Sequence, residues 1–353
     1  MPKRNLNRRQ QWRVQKIQEE RTKRAEKRER DVSRQQQSGE LSSEQLGLII
    51  SHYGQHVDVE ALEGQDQGVV HRCHVRANIE SLVTGDKVIW RAGADYTGVI
   101  EARAERESVL QRPDNFGQIK PVAANIDFIL LVIAPEPEPF CNLIDRYLVA
   151  CETTEITPIL LLNKTDLLND DNREPILSML ARYDSLGYQT LQASTTTEHG
   201  LDELLDILKD RTSVFVGQSG VGKSSLIKAL MPEQDIRIGD LSAATSKGTH
   251  TTTTAKLFHM PCGGDLVDSP GIREFGLWHI TQDELLEGFV EFRPHLGYCR
   301  FRDCKHKDEP GCAIRKACED GLISEQRMDS FLRIRAAIAE QHARGLTLEP
   351  SFK

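Results

Sequence analysis

Between residues 45 and 112 the apolar positions come in short alternating runs broken by glycine: LGLIISHYGQHVDVE, GVVHRCHVRANI, GDKVIWRAGADYTGVIEARAE and ESVLQRP. Period-two alternation between such turns predicts five short strands, and strands this short and evenly spaced predict a small β-barrel of the OB type. Pro113 and RPDNFGQ mark a linker. From about residue 120 to 275 the texture changes. IDFILLVIA, TPILLLNK, YQTLQAS, TSVFVG, AKLFHM and GGDLVDSPG read as strands. FCNLIDRYLVACE, REPILSMLARYDSLG, GLDELLDILKD and GKSSLIKALM, set between them, carry the spacing of amphipathic helices. Apolar strands alternating with helices predict a mostly parallel sheet covered on both faces. Beyond residue 277 the chain reads as helical around a Cys/His-rich loop, with its clearest helix over 322–344.

The expectation is a multidomain α/β protein. A basic arm fills 1–40, an OB-type β-barrel 41–112, a P-loop domain 113–276 and a helical metal-binding domain 277–353. The arm is poor in large apolar residues and is expected to be disordered or marginally helical in isolation.

Charge sharpens this division. The net charge of −8 conceals a segment, residues 1–34, with 13 basic and 5 acidic side chains, while the remainder carries −16. A basic arm on an acidic body points to a polyanionic partner such as RNA. No run of eighteen apolar residues is present, so no membrane partner is expected. The N-terminus lacks the apolar core of a secretory signal. Of the 8 cysteines, four fall between Cys299 and Cys318, which fits a reducing cytoplasm and one metal cluster rather than a disulfide framework.

The stretch VFVGQSGVGKSSLIKAL joins a predicted strand to a predicted helix. Gly217, Gln218, Ser219, Gly220, Val221, Gly222, Lys223 and Ser224 match the P-loop pattern at every defined position, with Ser225 following. Backbone N–H groups and the helix N-terminus would cradle phosphates there. Lys223 would reach the β- and γ-phosphates, and Ser224 would ligate Mg²⁺. Asn163, Lys164, Thr165 and Asp166 follow another buried strand, where the Asp166 carboxylate can accept from guanine N1–H and the exocyclic amine. Adenine offers no such donor pair, which disfavours an ATPase. Ala193 and Ser194, after the next strand, sit where backbone could touch the guanine carbonyl. Asp268 would hold Mg²⁺ through water, and the Gly271 N–H would bond the γ-phosphate. The polar loop TSKGTHTTTTAKL suits a switch that orders around γ-phosphate and Mg²⁺. One of Thr251, Thr252 and Thr253 is expected to supply a ligand.

GTPase switches usually place the P-loop first and the guanine motif well downstream. Here the guanine motif comes first, then P-loop, first switch and second switch. A cut and rejoin of the usual order gives this arrangement, so the central domain is expected to be a circularly permuted P-loop GTPase. Ile272 stands where a glutamine often orients the attacking water, which leaves His250 as the candidate catalytic residue. Cys299, Cys304, His306 and Cys312, spaced C-x4-C-x-H-x5-C, supply a closed tetrahedral set for one structural Zn²⁺. Cys318, on an apparent helix, reads as a packed apolar residue. The basic residues around this loop suit RNA backbone contact. An alternative from another class is an RNA-binding assembly scaffold whose nucleotide site is mainly structural.

With GQSGVGKSSL, GTHTTT, DSPGIREFGL and the Cys/His spacing in hand, the chain resembles the RsgA (YjeQ) family of small-subunit-dependent GTPases over nearly its whole length. The resemblance implies a bacterial cytoplasmic factor, expected to be a monomer, that binds the small ribosomal subunit and its rRNA late in assembly. It implies GTP hydrolysis to GDP stimulated by the subunit, coupled to release of the factor and of other assembly factors. It also supports His250 as the catalytic histidine.

Overall fold

The computed structural model describes residues 41–53, 56–76, 79–113, 118–232, 255–268 and 280–343. They divide into two compact units: one is built from the chain up to Leu82 with Asp86–Glu105, the other from Val83–Gly85 and the chain from Arg106 onward.

The first unit holds β1 (Gln45–Tyr53), β2 (His56–Ala61), β3 (Val70–Val75), β4 (Lys87–Ala92) and β5 (Thr97–Arg103). β1, β2 and β3 form an antiparallel meander, β3 pairs with β5 in parallel, and β4 pairs with both β5 and β1. The sheet thus closes on itself and leaves no free edge. Alternation drives the closure: in β2, Val57, Val59 and Ala61 turn inward while His56, Asp58 and Glu60 turn outward. Trp90, fully buried, fills the barrel with Ile49, Cys73, Val88 and Ile100. The barrel has the expected five strands, but ESVLQRP is not one of them. ESVLQRP forms β6 (Val109–Pro113), which pairs with β7 (Ile119–Ala124) in a separate hairpin of the second unit. The fifth barrel strand arises because GDKVIWRAGADYTGVIEARAE folds back on itself as β4 and β5.

The second unit is built on a six-stranded sheet of β8 (Phe128–Ile133), β9 (Thr157–Leu162), β10 (Gln189–Gln192), β11 (Thr212–Val216), β12 (Lys256–His259) and β13 (Asp265–Asp268). Its spatial order is β10-β9-β8-β11-β13-β12, parallel except for the β12–β13 hairpin. Leu130, Val132, Ile159, Leu161 and Val216 are all buried, as expected for strands covered on both faces. Helices α1 (Cys141–Thr154), α2 (Arg173–Ser185), α3 (Asp202–Leu208) and α4 (Lys223–Leu230) supply the cover. β9 and β10 extend from one side of β8, and β11 and β13 from the other. The switch point therefore lies between β8 and β11, where open α/β sheets form a ligand crevice.

The chain then runs through α5 (Gln282–Glu287), a 3₁₀ turn (Val290–His295), α6 (Ala313–Glu319) and α7 (Glu325–Ala343). Among the described residues no helix is long and apolar enough to cross a membrane. These helices dock on α1 through a buried ionic cluster. Arg327 of α7 is 4% exposed, and Asp145 of α1 is fully buried. Arg327 Nη1 donates to Asp145 Oδ1 at 2.7 Å, and its Nε and Nη2 donate to the two Glu291 oxygens at 2.6 and 3.0 Å. The Tyr183 hydroxyl of α2 donates to the same Asp145 oxygen at 2.7 Å. Burial works against the guanidinium's charge, but the Glu291 and Asp145 carboxylates outweigh it and hold Arg327 protonated. The guanidinium also lies over the Phe289 ring, 4.3 Å from its centroid. Asn142 Nδ2 adds a donation to the Ser330 carbonyl at 3.4 Å.

Breaking this cluster strands buried carboxylates, a loss of roughly 3–5 kcal/mol. Arg327→Met is expected to lower the unfolding free energy of the second unit by that amount, seen as a lower denaturant midpoint. Adding Asp145→Asn and Glu291→Gln should recover much of it, as followed by equilibrium unfolding. An unchanged midpoint in Arg327→Met would show that the cluster does not hold the helices in place.

Candidate functional site

Four loops meet at the carboxyl ends of the parallel strands. Gly217–Gly222 leaves β11, Asn163–Asp166 leaves β9, Ala193–Ser194 leaves β10, and Asp268 ends β13. Gly217 has φ 132°, and a Cβ there would overlap the Val132 carbonyl oxygen of β8. Gly222, with φ 93°, caps the N-terminus of α4, and a Cβ would strike the Asn163 amide. Glycine is thus required where the loop presses on β8 and where it turns beneath the guanine motif. Val221 is fully buried and roots the loop in the core, while Ser219 and Gly220 are exposed above it. The N-terminus of α4, with its positive partial charge, opens onto the same loop. Lys223 Nζ donates to the Gly217 and Gln218 carbonyls at 2.7 and 2.6 Å, inside the cradle from which it would meet phosphate oxygens.

Asn163 and Lys164 face this loop and are spent on holding it. Asn163 Nδ2 donates to the Val221 carbonyl at 2.9 Å. Lys164 Nζ donates to the Gly220 carbonyl at 2.7 Å and to that of Glu136 at 2.9 Å. Lys164 itself adopts a left-handed backbone, φ 58°, uncommon for a non-glycine residue and held here by those two bonds. The segment APEPEPF between β8 and α1 closes the other side: Gln218 Nε2 donates to the Pro137 and Glu138 carbonyls, both at 3.2 Å. Sequence reasoning missed this contact. The segment carries no nucleotide motif, and only its prolines signalled extended backbone.

At the base end, Ser194 Oγ donates to Asp166 Oδ1 at 2.6 Å, and this bond holds the Asp166 carboxyl below the usual carboxylate range. An ionised, oriented acceptor is what recognition of guanine N1–H needs. The backbone amides of Ala193 and Ser194 are engaged within the fold. The Ala193 N–H is committed to the Leu162 carbonyl at 2.8 Å and that of Ser194 to the Gly200 carbonyl at 3.0 Å. Ser194 instead acts through its hydroxyl. The next amide, Thr195, has no hydrogen-bond partner among the described residues. At the opposite end Lys223, Ser224 and Asp268 come together around a small gap that Phe215, Ile227, Leu266 and Val267 also line. Ser224 and Asp268 thus bring a hydroxyl and a carboxylate together, the donor types that Mg²⁺ takes. Thr165 donates through its N–H to the Ala193 carbonyl at 3.2 Å, and Ser225 is exposed on α4. His250, Thr251, Thr252, Thr253 and Gly271 lie outside the described residues.

A second cluster lies in the C-terminal helices. The donor atoms of Cys299, Cys304, His306 and Cys312 all fall within 4.8 Å of one another. His306 Nδ1 is 3.5 Å from Cys299 Sγ and 3.3 Å from Cys312 Sγ, and those two sulfurs are 3.9 Å apart. A tetrahedron with metal–sulfur bonds of about 2.3 Å and a metal–nitrogen bond of about 2.0 Å has edges of roughly 3.5–3.8 Å, so the group could hold an ion such as zinc. The Ala313 N–H donates to Cys299 Sγ at 3.3 Å and the Arg315 N–H to Cys312 Sγ at 3.5 Å, which favours thiolates. Glu309 fixes the intervening loop by accepting from the Lys305, Lys307 and Asp308 N–H groups at 3.0, 2.8 and 3.1 Å. Those amides pull its carboxyl down to about 2. Cys318, on α6, stands outside the donor group.

Comparison with known proteins agrees with this arrangement. A family model described as RsgA GTPase matches residues 103–278. The chain is 63% identical to the "Small ribosomal subunit biogenesis GTPase RsgA" of Hahella chejuensis, covering 97% of this chain and 98% of that one. It is 60% identical to the protein of the same name from Marinobacter nauticus, over 99% and 100% of the two chains. Among solved structures it is similar to YjeQ from Thermotoga maritima, with TM-score 0.69 and 31% identity over 84% of this chain and 99% of that one. It is also similar to YloQ, described as a circularly permuted GTPase, with TM-score 0.67 and 29% identity over 88% and 97%.

The base end makes a direct prediction. Asp166→Asn replaces one acceptor by a donor that faces guanine N1–H. Affinity for GDP is expected to fall by a factor of about 10–150, the worth of a charge-assisted hydrogen bond. Affinity for xanthosine diphosphate should rise. Displacement of a fluorescent guanine nucleotide measures both, and an unaltered preference would remove Asp166 from base recognition.

Proposed function

The chain belongs to the RsgA GTPase family and is a GTP hydrolase, and from that premise we propose that it serves as a checkpoint in maturation of the small ribosomal subunit. It binds the subunit late in assembly in the cytoplasm, as a monomer. It hydrolyses GTP to GDP and phosphate when the subunit stimulates it, and it couples hydrolysis to its own release and that of other assembly factors. One observation carries this reading. The 63% identity runs along 97% of the chain, so barrel, nucleotide sheet and metal-binding helices are all shared with a protein named for small-subunit biogenesis.

The residues divide the work as follows. Asp166, oriented by the Ser194 hydroxyl, selects guanine. The loop from Gly217 to Gly222, braced by Asn163, Lys164 and Gln218, binds the phosphates, and Lys223 neutralises charge on the β–γ bridge. Ser224 and Asp268 hold Mg²⁺, which supplies Lewis-acid stabilisation of the phosphate oxygens when bound. Thr251 or Thr252 completes that shell, the Gly271 N–H meets the γ-phosphate, and His250 positions the attacking water. The Cys299–Cys304–His306–Cys312 group holds one structural Zn²⁺. The barrel, the metal-binding domain over 277–353 and the basic arm over 1–40 hold rRNA.

Two measurements test this. Steady-state GTP hydrolysis should rise steeply as isolated small subunits are titrated in, with large subunits inert. In His250→Ala the stimulated rate should fall by on the order of 10²-fold while GDP affinity is unchanged. Absent stimulation with tight subunit binding in every nucleotide state would favour the scaffold reading. For the metal, the purified chain should contain one equivalent of zinc. Cys304→Ser should lose it together with protease resistance of the C-terminal helices, as read by elemental analysis and limited proteolysis.

A further inference from the structure

We propose that the groove between α5 and the metal-binding loop binds an unpaired nucleobase of RNA, stacked on Phe301, with flanking phosphates held by Arg300, Arg302 and Lys305. The inference rests on the RNA-binding part of the reading above and deepens it by naming a binding mode. The groove, which runs up to the metal-ligating Cys299, Cys304 and His306, measures about 740 Å³ with that space included. Asp283 and Leu286 of α5 form one wall and residues 299–306 the other, with buried Phe331 below.

Three observations converge on a base. The first is aromatic exposure. Phe301, which lines the groove, is 42% exposed, and Tyr298, three residues earlier and outside the groove's lining, is 79% exposed. Exposed rings on a fixed backbone are stacking platforms for bases that have left a duplex. This backbone is fixed: Glu309 takes three loop amides, and the Arg300 N–H donates to the Gly311 carbonyl at 3.0 Å. The Arg300 guanidinium lies 5.6 Å from the Phe301 centroid and is placed to reach a neighbouring phosphate.

The second is charge. From Cys299 to Lys316 the chain has six basic and three acidic residues, against a net −16 for everything beyond the arm. Two of the acids are engaged: Glu309 by backbone amides and Asp308 by Arg315 at 4.0 Å. Arg300, Arg302, Lys305 and Lys307 have no ion-pair partner among the described residues. The rim is therefore a local cationic patch on an acidic body, which suits a polyanion and repels a basic protein.

The third is the groove's interior. Asp283, Glu287 and Asp303 line it alongside Arg300, Arg302, Lys305 and Arg335, so both signs of charge face the groove. Carboxylates accept from the amino groups of adenine, cytosine or guanine. A base on the carboxylates, with its flanking phosphates on the basic side chains, satisfies both signs of charge.

The test uses the full chain and a 12-nucleotide single-stranded RNA with a central 2-aminopurine, whose fluorescence is quenched on stacking. Phe301→Ala should weaken binding roughly 5- to 100-fold and abolish the quench, with the slope of log K against log salt unchanged. Phe301→Tyr should restore both. Arg300→Gln should keep the quench and reduce the salt slope by about 0.7, the share of one single-strand phosphate contact. Zinc content is measured alongside and is expected to be equal in all variants, since the altered side chains are exposed. Wild-type affinity and quench in a Tyr298→Ala, Phe301→Ala double variant would overturn the groove while leaving RNA binding to the barrel or arm. Failure of the unaltered chain to bind the oligonucleotide would overturn both.

Discussion

The second unit depends on one buried guanidinium. Arg327 brings a positive charge to a point where Asp145 and Glu291 have already been taken out of water. None of the three could occupy that position alone, because an unpaired charge there would cost several kcal/mol. α1 can bury Asp145 only against Arg327 of the C-terminal helices, which pairs with Glu291 from its own side. The consequence reaches both sites. α1 leads back through APEPEPF to the loop held by Gln218 and Lys164, and α7 leads on through Phe331 to His306, whose rings are 6.2 Å apart. Nucleotide crevice and metal centre are therefore separate sites on one packed body.

The parallel sheet explains why a reordered sequence can still assemble a nucleotide site. Its loops belong together because they leave the same edge of the sheet, whatever their order along the chain. Gly217 and Gly222 are the places where this convergence is tightest, since backbone from β11 meets β8 and then the guanine motif with no room for a side chain. Permutation alters which strand is covalently next to which. It leaves untouched the carbonyls of Val132, Val221 and Gly220 against which the loops are fitted.

Much of this was legible in the sequence because the physics is local. Period-two alternation with glycine turns announced the barrel, continuous apolar runs announced the buried strands, and C-x4-C-x-H-x5-C announced four donors within reach of one another. Three features were not legible. ESVLQRP reads as a strand but carries no mark of which sheet it joins, and it pairs with β7 rather than in the barrel. The amides of Ala193 and Ser194 looked available until the strand partner Leu162 and the turn at Gly200 claimed them. Arg327 reads as one more charged position on an amphipathic helix. Only tertiary packing of α7 on α1 turns it inward, bringing it against Asp145, 182 residues away in sequence.

The loop fixed by Glu309 has a consequence for how such proteins diversify. Its backbone is held by carboxylate–amide bonds and by the four donor side chains, so the outward positions Tyr298, Phe301, Arg302 and Lys305 carry little of the folding. Substitutions there are nearly free of a stability cost. Over generations they can drift or be selected separately from the scaffold beneath, so recognition can be retuned without the fold being reinvented.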